Sequence, residues 1–337
     1  MARGLYLSHP SSLEHDTGGH PENAGRLLAI ERTLTEAGWP GVERSEAPPA
    51  TREQLLRVHS AEHVDAIEAF CARGGGMIDL DTVASERSYE AALHAAGGPA
   101  EAAERLLAGE AGFAFCALRP PGHHAERDRA MGFCLFNNVA VAAAHALEAG
   151  GAERVLVVDW DVHHGNGTEA LFAASPRVLY ASIHQWPLYP GTGAAEYAGE
   201  GPGLGYTVNL PVAAGAGSDE FLALVQHVVA PVARAYRPGL IAISAGYDAH
   251  ADDPLAECRV DTPAFGDLAA TMRDVAAELD VPVLVCLEGG YEPAALAASV
   301  LATIEALAGE REPRSVPVDL AEPHLATQRQ SCAVLRA

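Results

Sequence analysis

Residues 155–167 read Val155-Leu156-Val157-Val158-Asp159-Trp160-Asp161-Val162-His163-His164-Gly165-Asn166-Gly167. The stretch opens as an unbroken aliphatic run and closes in carboxylates, imidazoles and glycines. A strand with one face in water alternates apolar and polar side chains, whereas a continuous apolar run is expected of a strand covered on both faces. Residues 240–248, Leu-Ile-Ala-Ile-Ser-Ala-Gly-Tyr-Asp, repeat the pattern. Other β-rich runs lie at 5–8, 112–118, 154–161, 178–184, 206–211 and 281–287. Ala/Leu/Glu-rich stretches of helical period separate them at 26–37, 62–72, 86–108, 138–149, 218–236, 264–279 and 294–308. This alternation predicts an α/β fold, a parallel β-sheet flanked by helices on both faces. The 337 residues suit one large domain or two smaller ones, and no repeat or low-complexity linker divides them. From Glu310 the sequence EREPRSVPVDLAEP is polar and proline-broken, so residues 1–310 are expected to form the folded domain and 311–337 a C-terminal tail.

Composition narrows the function classes. The chain is 49% hydrophobic with a formal net charge of -23, enough apolar material for a sizeable core. Its 45 acidic residues face 22 basic ones, every one an arginine, with no basic run, so nucleic acid is not an expected partner. The absence of lysine removes Schiff-base and P-loop chemistry. The acidity suits a cationic substrate, but it equally serves solubility. No segment approaches the ~18 consecutive apolar residues that span a bilayer, and the start, MARGLYLSHPSSLEH, turns polar too soon for a secretory signal. No membrane partner and a cytoplasmic location are expected. Six cysteines, at 71, 116, 134, 258, 286 and 332, form no C-x-x-C pair and read mainly as small buried hydrophobes.

Several strand-like runs end in reactive side chains. Residues 154–161 lead into Val162-His163-His164-Gly165-Asn166-Gly167, and 240–246 into Tyr247-Asp248-Ala249-His250. Residues 283–287 lead into Glu288-Gly289-Gly290-Tyr291, and 113–119 into Pro120-Pro121-Gly122-His123-His124. In open α/β sheets ligands bind at the carboxyl edge of the strands. Asp161 and His163, one residue apart past a strand end, direct a carboxylate and an imidazole to the same side. Asp248 offers a third ligand from another strand. Two aspartates and one histidine leave a coordination position for water, the pattern of a catalytic zinc site. Taken singly, Asp161 could instead cap the next segment and His163 could pack in a loop; the convergence favours the metal.

Eight stretches carry a resemblance: HPENAGRL (20–27), RPPGHHA (119–125), MGFCLFNN (131–138), DWDVHHGNGT (159–168), SIHQ (182–185), YPGTG (189–193), SAGYDAHADDPL (244–255) and LEGGY (287–291). On them the chain resembles the zinc-dependent histone deacetylase and acetylpolyamine amidohydrolase family, in its class II-like bacterial branch. The resemblance implies a single-domain arginase–deacetylase fold over nearly all the chain to about residue 300. It also implies one catalytic Zn2+ on Asp161, His163 and Asp248. His124 then corresponds to the general base that deprotonates water and later protonates the leaving amine. His123 acts through charge and hydrogen bonding, with Asp159 orienting it. Asn166 stands where some members place an aspartate behind the second histidine, and an amide supplies orientation without charge. Tyr291 corresponds to the phenol that donates to the developing oxyanion.

By the same resemblance Phe133 and Tyr189 wall a narrow substrate channel, and Gly132 and Gly290 admit close backbone approach. Arg26 matches an arginine below the site linked to acetate exit, or is a surface residue of the first helix. Two structural potassium sites are also implied. Asp159, Asp161, His163, Ser182 and Ile183 surround one; Phe172, Ser175, Val178 and Tyr206 surround the other.

The expected substrate is the acetyl-lysine side chain of a protein or peptide. Some polyamine-preferring relatives carry glutamate at the channel mouth where this chain has Leu255, although Glu257 is close by. Acetylated polyamine is the alternative, with selectivity set by assembly or an inserted loop, and no long insertion is visible. A non-catalytic acyl-lysine binder would have lost Tyr291, a histidine or a ligand. A binuclear ureohydrolase would need further carboxylates where Gly165 and His250 stand.

Overall fold

The structure is a computed structural model and describes residues 4–335. Among the described residues ten strands are formed: β1 Gly4–Ser8, β2 Val42–Glu46, β3 Gly75–Met77, β4 Val83–Ser85, β5 Phe113–Cys116, β6 Val155–Asp159, β7 Val178–Gln185, β8 Thr207–Val212, β9 Leu240–Ala245 and β10 Val283–Leu287. Eight of them make one sheet in the order β2-β1-β5-β10-β9-β6-β7-β8, every neighbouring pair parallel. β3 and β4 pair antiparallel as a separate hairpin. This is the expected α/β architecture.

The unbroken apolar runs follow from cover on both faces. Leu156 and Val158 of β6 pack into one core with Phe113 and Phe115 of β5 and Val283, Val285 and Leu287 of β10. Helices Gly25–Glu36, Thr262–Leu279 and Pro293–Ala308 close that face through Ile30, Phe265 and Val300. Val155 and Val157 turn to the opposite core. There Ala95, Leu106, Val139 and Ala142 of helices Ser88–Leu107 and Asn138–Glu148 cover the sheet. Successive residues of β6 from Val155 to Val158 thus serve two cores, which explains why that run is apolar throughout.

The structure adds elements that periodicity does not reveal. β2, Val-Glu-Arg-Ser-Glu, is an edge strand with largely solvated side chains, so it lacks the apolar signature. The helix Asn166–Phe172 starts inside the glycine-rich stretch that reads as a loop. The single helix expected over 218–236 contains a π-helical turn at Val225–Val229, just before Pro231 removes a backbone donor. Beyond residue 310 a further helix, Glu322–Ser331, forms, and Val316, Ala321, Leu325 and Cys332 join the first core. All six cysteines are buried, and among the described residues none forms a disulfide. Among the described residues no helix is long and apolar enough to cross a membrane.

Candidate metal centre and catalytic pocket

The carboxyl ends of β5, β6, β9 and β10 meet at one place. Asp161 and His163 follow β6, and Asp248 follows β9; the two aspartates are buried and His163 is almost so. Their ligand atoms lie within 4.8 Å of one another. His163 Nδ1 stands 3.1 Å from Asp161 Oδ1 and 3.1 Å from Asp248 Oδ2. The other oxygen of each carboxylate is tied down: the Gly289 N–H donates to Asp161 Oδ2 at 2.8 Å, and the Val162 N–H to Asp248 Oδ1 at 2.9 Å. Each aspartate is thereby oriented by the backbone and turns one oxygen toward the shared imidazole nitrogen.

The surroundings are cut to this shape. A Cβ at Gly246 would collide with the Asp161 carboxylate, and one at Gly289 with the Asp248 and Asp161 carboxylates. Burial disfavours charge on His163, but the hydrogen bonds to Asp161 and Asp248 more than offset it and push its pKa up to about 10. A divalent cation competes with that proton for the same nitrogen. Two anionic oxygens and one imidazole nitrogen, buried and pre-oriented, fit a Zn2+ ion with room for a further ligand.

His123 and His124 lie beside these residues with ring centroids 4.0 Å apart. The Glu288 carboxylate holds their turn, accepting from the backbone N–H of Gly122 at 2.7 Å and of His123 at 3.2 Å. His123 Nδ1 pairs with Asp159 Oδ2 at 3.0 Å, and the Tyr180 hydroxyl donates to the same oxygen at 3.0 Å. Burial opposes charge on His123, yet Asp159 and Asp161 override it and raise its pKa to about 10. His124 moves the other way: burial, then the charges of His123 and His163, hold it well below the usual histidine value. The two rings are thus biased in opposite directions, His123 toward the charged form and His124 toward the neutral one. His124 Nδ1 faces Asn166 Oδ1 at 2.8 Å.

A cavity of about 200 Å³ leads to these groups, lined by Asp81, His124, Gly132, Phe133, His163, Leu188, Tyr189, Leu255 and Tyr291. Gly132 and Phe133 both adopt positive φ, 56° and 69°, and a Cβ at Gly132 would strike the His124 ring. The ring of Phe133 stands edge-on to Tyr291, centroids 5.7 Å apart. Tyr189 stands edge-on to His124 at 5.1 Å. The Tyr291 N–H donates to Asp253 Oδ2 at 2.6 Å, which fixes the loop after β10. Burial, then the Asp248 charge, keeps the Tyr291 phenol protonated, its pKa well above 10.

The structure thus brings together Asp161, His163, Asp248, His123, His124, Asp159, Asn166 and Tyr291, with Gly132, Phe133, Tyr189 and Leu255 lining the approach and Gly290 beside the Tyr247 and Leu296 side chains. Arg26 is buried, not a surface residue; it donates to the carbonyls of Gly290 at 2.6 Å and Glu288 at 2.5 Å, and its guanidinium lies 5.0 Å from the Tyr291 ring centroid. Ser182 pairs with Asp159 in register, next to Ile183. Phe172 and Ser175 join through a backbone bond, and the Tyr206 carbonyl accepts from Tyr180, two residues after Val178. His250 turns away from the metal ligands to Thr262, its Nε2 3.0 Å from the hydroxyl.

Sequence reasoning assigned no individual role to Asp81, Leu188, His20 or Glu288. Asp81 lies in the turn that joins β3 to β4, where a lone aspartate gives no signal. Thr82 joins it to the channel wall: its hydroxyl donates to Asp81 Oδ1 at 3.0 Å and accepts from the Phe133 N–H at 3.1 Å. His20 packs edge-on against Phe133 with centroids 4.4 Å apart. Its place at the head of the HPENAGRL stretch was the available clue.

Comparison with known proteins agrees with this geometry. The profile of the histone deacetylase domain matches residues 20–307. "Histone deacetylase 15" of Arabidopsis thaliana is 42% identical over 314 residues, covering 91% of this chain and 56% of the plant protein. A "probable deacetylase" of Methanothermobacter thermautotrophicus is 42% identical over 308 residues, covering 91% of each chain. Thus the chain spans little more than half of the plant relative and nearly all of the archaeal one. The crystal structure of the HDA15 HD domain superposes with a TM-score of 0.92 at 38% identity, covering 100% of this chain and 97% of that one. The fold is accordingly the arginase–deacetylase fold, and the chain belongs to the histone deacetylase domain family.

Proposed function

We propose that the chain is a zinc-dependent amidohydrolase that removes the acetyl group from Nε-acetyl-lysine in proteins or peptides and releases acetate. The observation that carries this reading is the narrow cavity between Phe133 and Tyr189, which ends at His124, His163 and Tyr291. Its walls accept an aliphatic stem, and its floor meets an amide with a hydrogen-bond donor and a neutral imidazole.

Asp161, His163 and Asp248 would hold the zinc, which would polarise the acetamide carbonyl and acidify a water molecule. His124, kept neutral, takes a proton from the water as its oxygen bonds to the carbonyl carbon. His123, charged and anchored on Asp159, stabilises the negative charge that develops. Tyr291 donates its hydroxyl hydrogen to the carbonyl oxygen as that atom becomes an oxyanion. When the C–N bond breaks, His124 returns the proton to the departing amine, leaving acetate and the free amine. Residues 1–310 are the catalytic domain in this reading and 311–337 the C-terminal tail. Potassium would be held at one site by Asp159, Asp161, His163, Ser182 and Ile183, and at a second by Phe172, Ser175, Val178 and Tyr206. A cytoplasmic location is supported by six buried cysteines that form no disulfide.

Leu255 at the mouth offers no charge to a distal amine, which favours acetyl-lysine. One observation favours an acetylated polyamine instead: Asp81 lines the same cavity and could pair with that amine. The deciding measurement is kcat/KM on an acetyl-lysine peptide and on N-acetylputrescine, side by side with zinc-loaded protein. Preference for the peptide supports the main reading; preference for the polyamine transfers the function to the second, and no turnover of either rejects both.

Two variants test the assignments. Tyr291→Phe is expected to lower kcat by about 10²–10³ while zinc content stays at the wild-type level. Near-normal turnover would place oxyanion stabilisation elsewhere. Asp248→Ala is expected to purify without zinc, because it removes one of three ligands and frees the Val162 N–H. Full zinc occupancy by elemental analysis would refute the ligand set.

A further inference from the structure

We propose that Glu126 is a positioning residue for the general base: its carboxylate fixes the Asn166 amide in the one orientation that keeps the His124 ring proton on Nδ1 and leaves Nε2 free to accept another. The inference rests on the reading of His124 as the base. It concerns a group outside the substrate channel, since Glu126 is not among the residues lining that cavity.

An aspartate behind His124 would present an oxygen whichever way it turned. An asparagine must choose, because its two ends differ only in being acceptor or donor. Asn166 Oδ1 faces His124 Nδ1 at 2.8 Å. Its Nδ2 donates to Glu126 Oε1 at 2.7 Å and also faces Met131 Sδ at 3.4 Å and the His124 carbonyl at 3.5 Å. Every neighbour on that side is an acceptor, and Glu126 is the close and charged one. Turned over, the amide would set its carbonyl against the Glu126 carboxylate and its N–H against His124 Nδ1. His124 would then carry its proton on Nε2, where the base needs a lone pair.

Glu126 is itself held in place. Its N–H donates to the Arg129 carbonyl at 2.9 Å. Its own carbonyl lies 2.9 Å from His59 Nδ1, and His59 Nε2 accepts from the Asn137 N–H at 2.9 Å. Accepting at Nε2 obliges His59 to donate from Nδ1, so its tautomer is settled by its neighbours. Burial, then His63, depresses His59 to a pKa of about 4 and keeps it in that neutral form. The order of support runs from His59 to Glu126, to Asn166, to His124.

The test is a cycle of Glu126→Ala in the wild-type and Asn166→Asp backgrounds, with kcat, KM, zinc content and melting temperature measured for each protein. In the wild-type background E126A is expected to lower kcat roughly 10-fold, part of the ~10²–10⁴ that a general base contributes, with KM unchanged. E126Q retains an acceptor oxygen toward Asn166 and should recover most of that loss. In the N166D background E126A should cost nothing or increase kcat, since the Glu126 carboxylate is repelled by the carboxylate introduced beside it. Long-range 1H–15N correlation spectra, with the His124 signal identified from H124A, should show Nδ1–H in the wild type and a shift toward Nε2–H in E126A. Equal losses in both backgrounds, wild-type kcat in E126A, or an unchanged His124 tautomer would each overturn the proposal. Should E126A fail to fold, Glu126→Asp makes the same comparison by withdrawing the carboxylate one methylene. Absence of turnover in the wild-type protein would reject the hydrolase reading, while the spectra would still test the amide orientation.

Discussion

His124→Ala is expected to lower kcat/KM by about 10²–10⁴, the usual contribution of a general acid–base group. The zinc content should not change, because His124 is not one of the three converging ligands. Its ring is placed by the Glu288-anchored turn, by Asn166 and by the tight fit against Gly132, where a Cβ would strike it. His123 cannot take over easily. Its Nδ1 is committed to the buried Asp159 carboxylate, which favours the protonated ring and disfavours uptake of a further proton. Steady-state kinetics with metal analysis on H123A and H124A distinguishes the two. A mild effect of H124A beside a severe effect of H123A would exchange the roles assigned to the pair.

The same pair shows how far sequence reading extends. The unbroken aliphatic runs of 155–158 and 240–243 indicate a parallel sheet buried on both sides because their physical cause is local: each residue of the run enters one of two cores. The convergence at the strand ends is readable for a related reason, since in such sheets neighbouring strands all deliver their carboxyl ends to one edge. Edge strand β2 escaped notice because, past Val42, solvent rather than a core meets most of its side chains. Asp81 and Glu126 escaped for a different reason. Each acts through one contact with a residue distant in sequence, Thr82 to Phe133 in one case and Asn166 in the other. Pairings of that kind leave no period and no spacing to read.

Glu22→Gln is expected to cost about 3–5 kcal/mol of folding stability, the usual effect of removing one partner from a buried ion pair. Glu22, Arg26 and Arg119 are all buried. Arg119 grips the carboxylate with Nε on Oε1 and a second nitrogen 2.7 Å from Oε2. Arg26 adds a bond of 3.1 Å to Oε1. One carboxylate therefore balances two guanidiniums, and glutamine would leave both charges buried without a counter-ion while turning an N–H₂ group toward one of them. Thermal denaturation should show a fall on the order of 5–10 °C.

The pH dependence identifies the cause of that loss. Burial pushes the Glu22 carboxyl up, and Arg119, with the hydrogen bonds from His15 and Arg119, more than reverses this and leaves it well below the usual carboxylate range. A depressed folded pKa stabilises fully above the unfolded value of ~4.3, and the contribution disappears as pH falls through the folded value. The gap between wild type and variant should thus be constant from pH 6 to 8 and narrow below about pH 4. A gap that persists unchanged in acid would mean that Glu22 acts by shape. Activity should decline together with stability, since Arg26 is the link between Glu22 and the site. The guanidinium that Glu22 neutralises also holds the Gly290 and Glu288 carbonyls on either side of the Gly-Gly turn that presents Tyr291. Loss of the counter-ion beneath that turn reaches the phenol through two backbone hydrogen bonds, although Glu22 lines no part of the substrate channel.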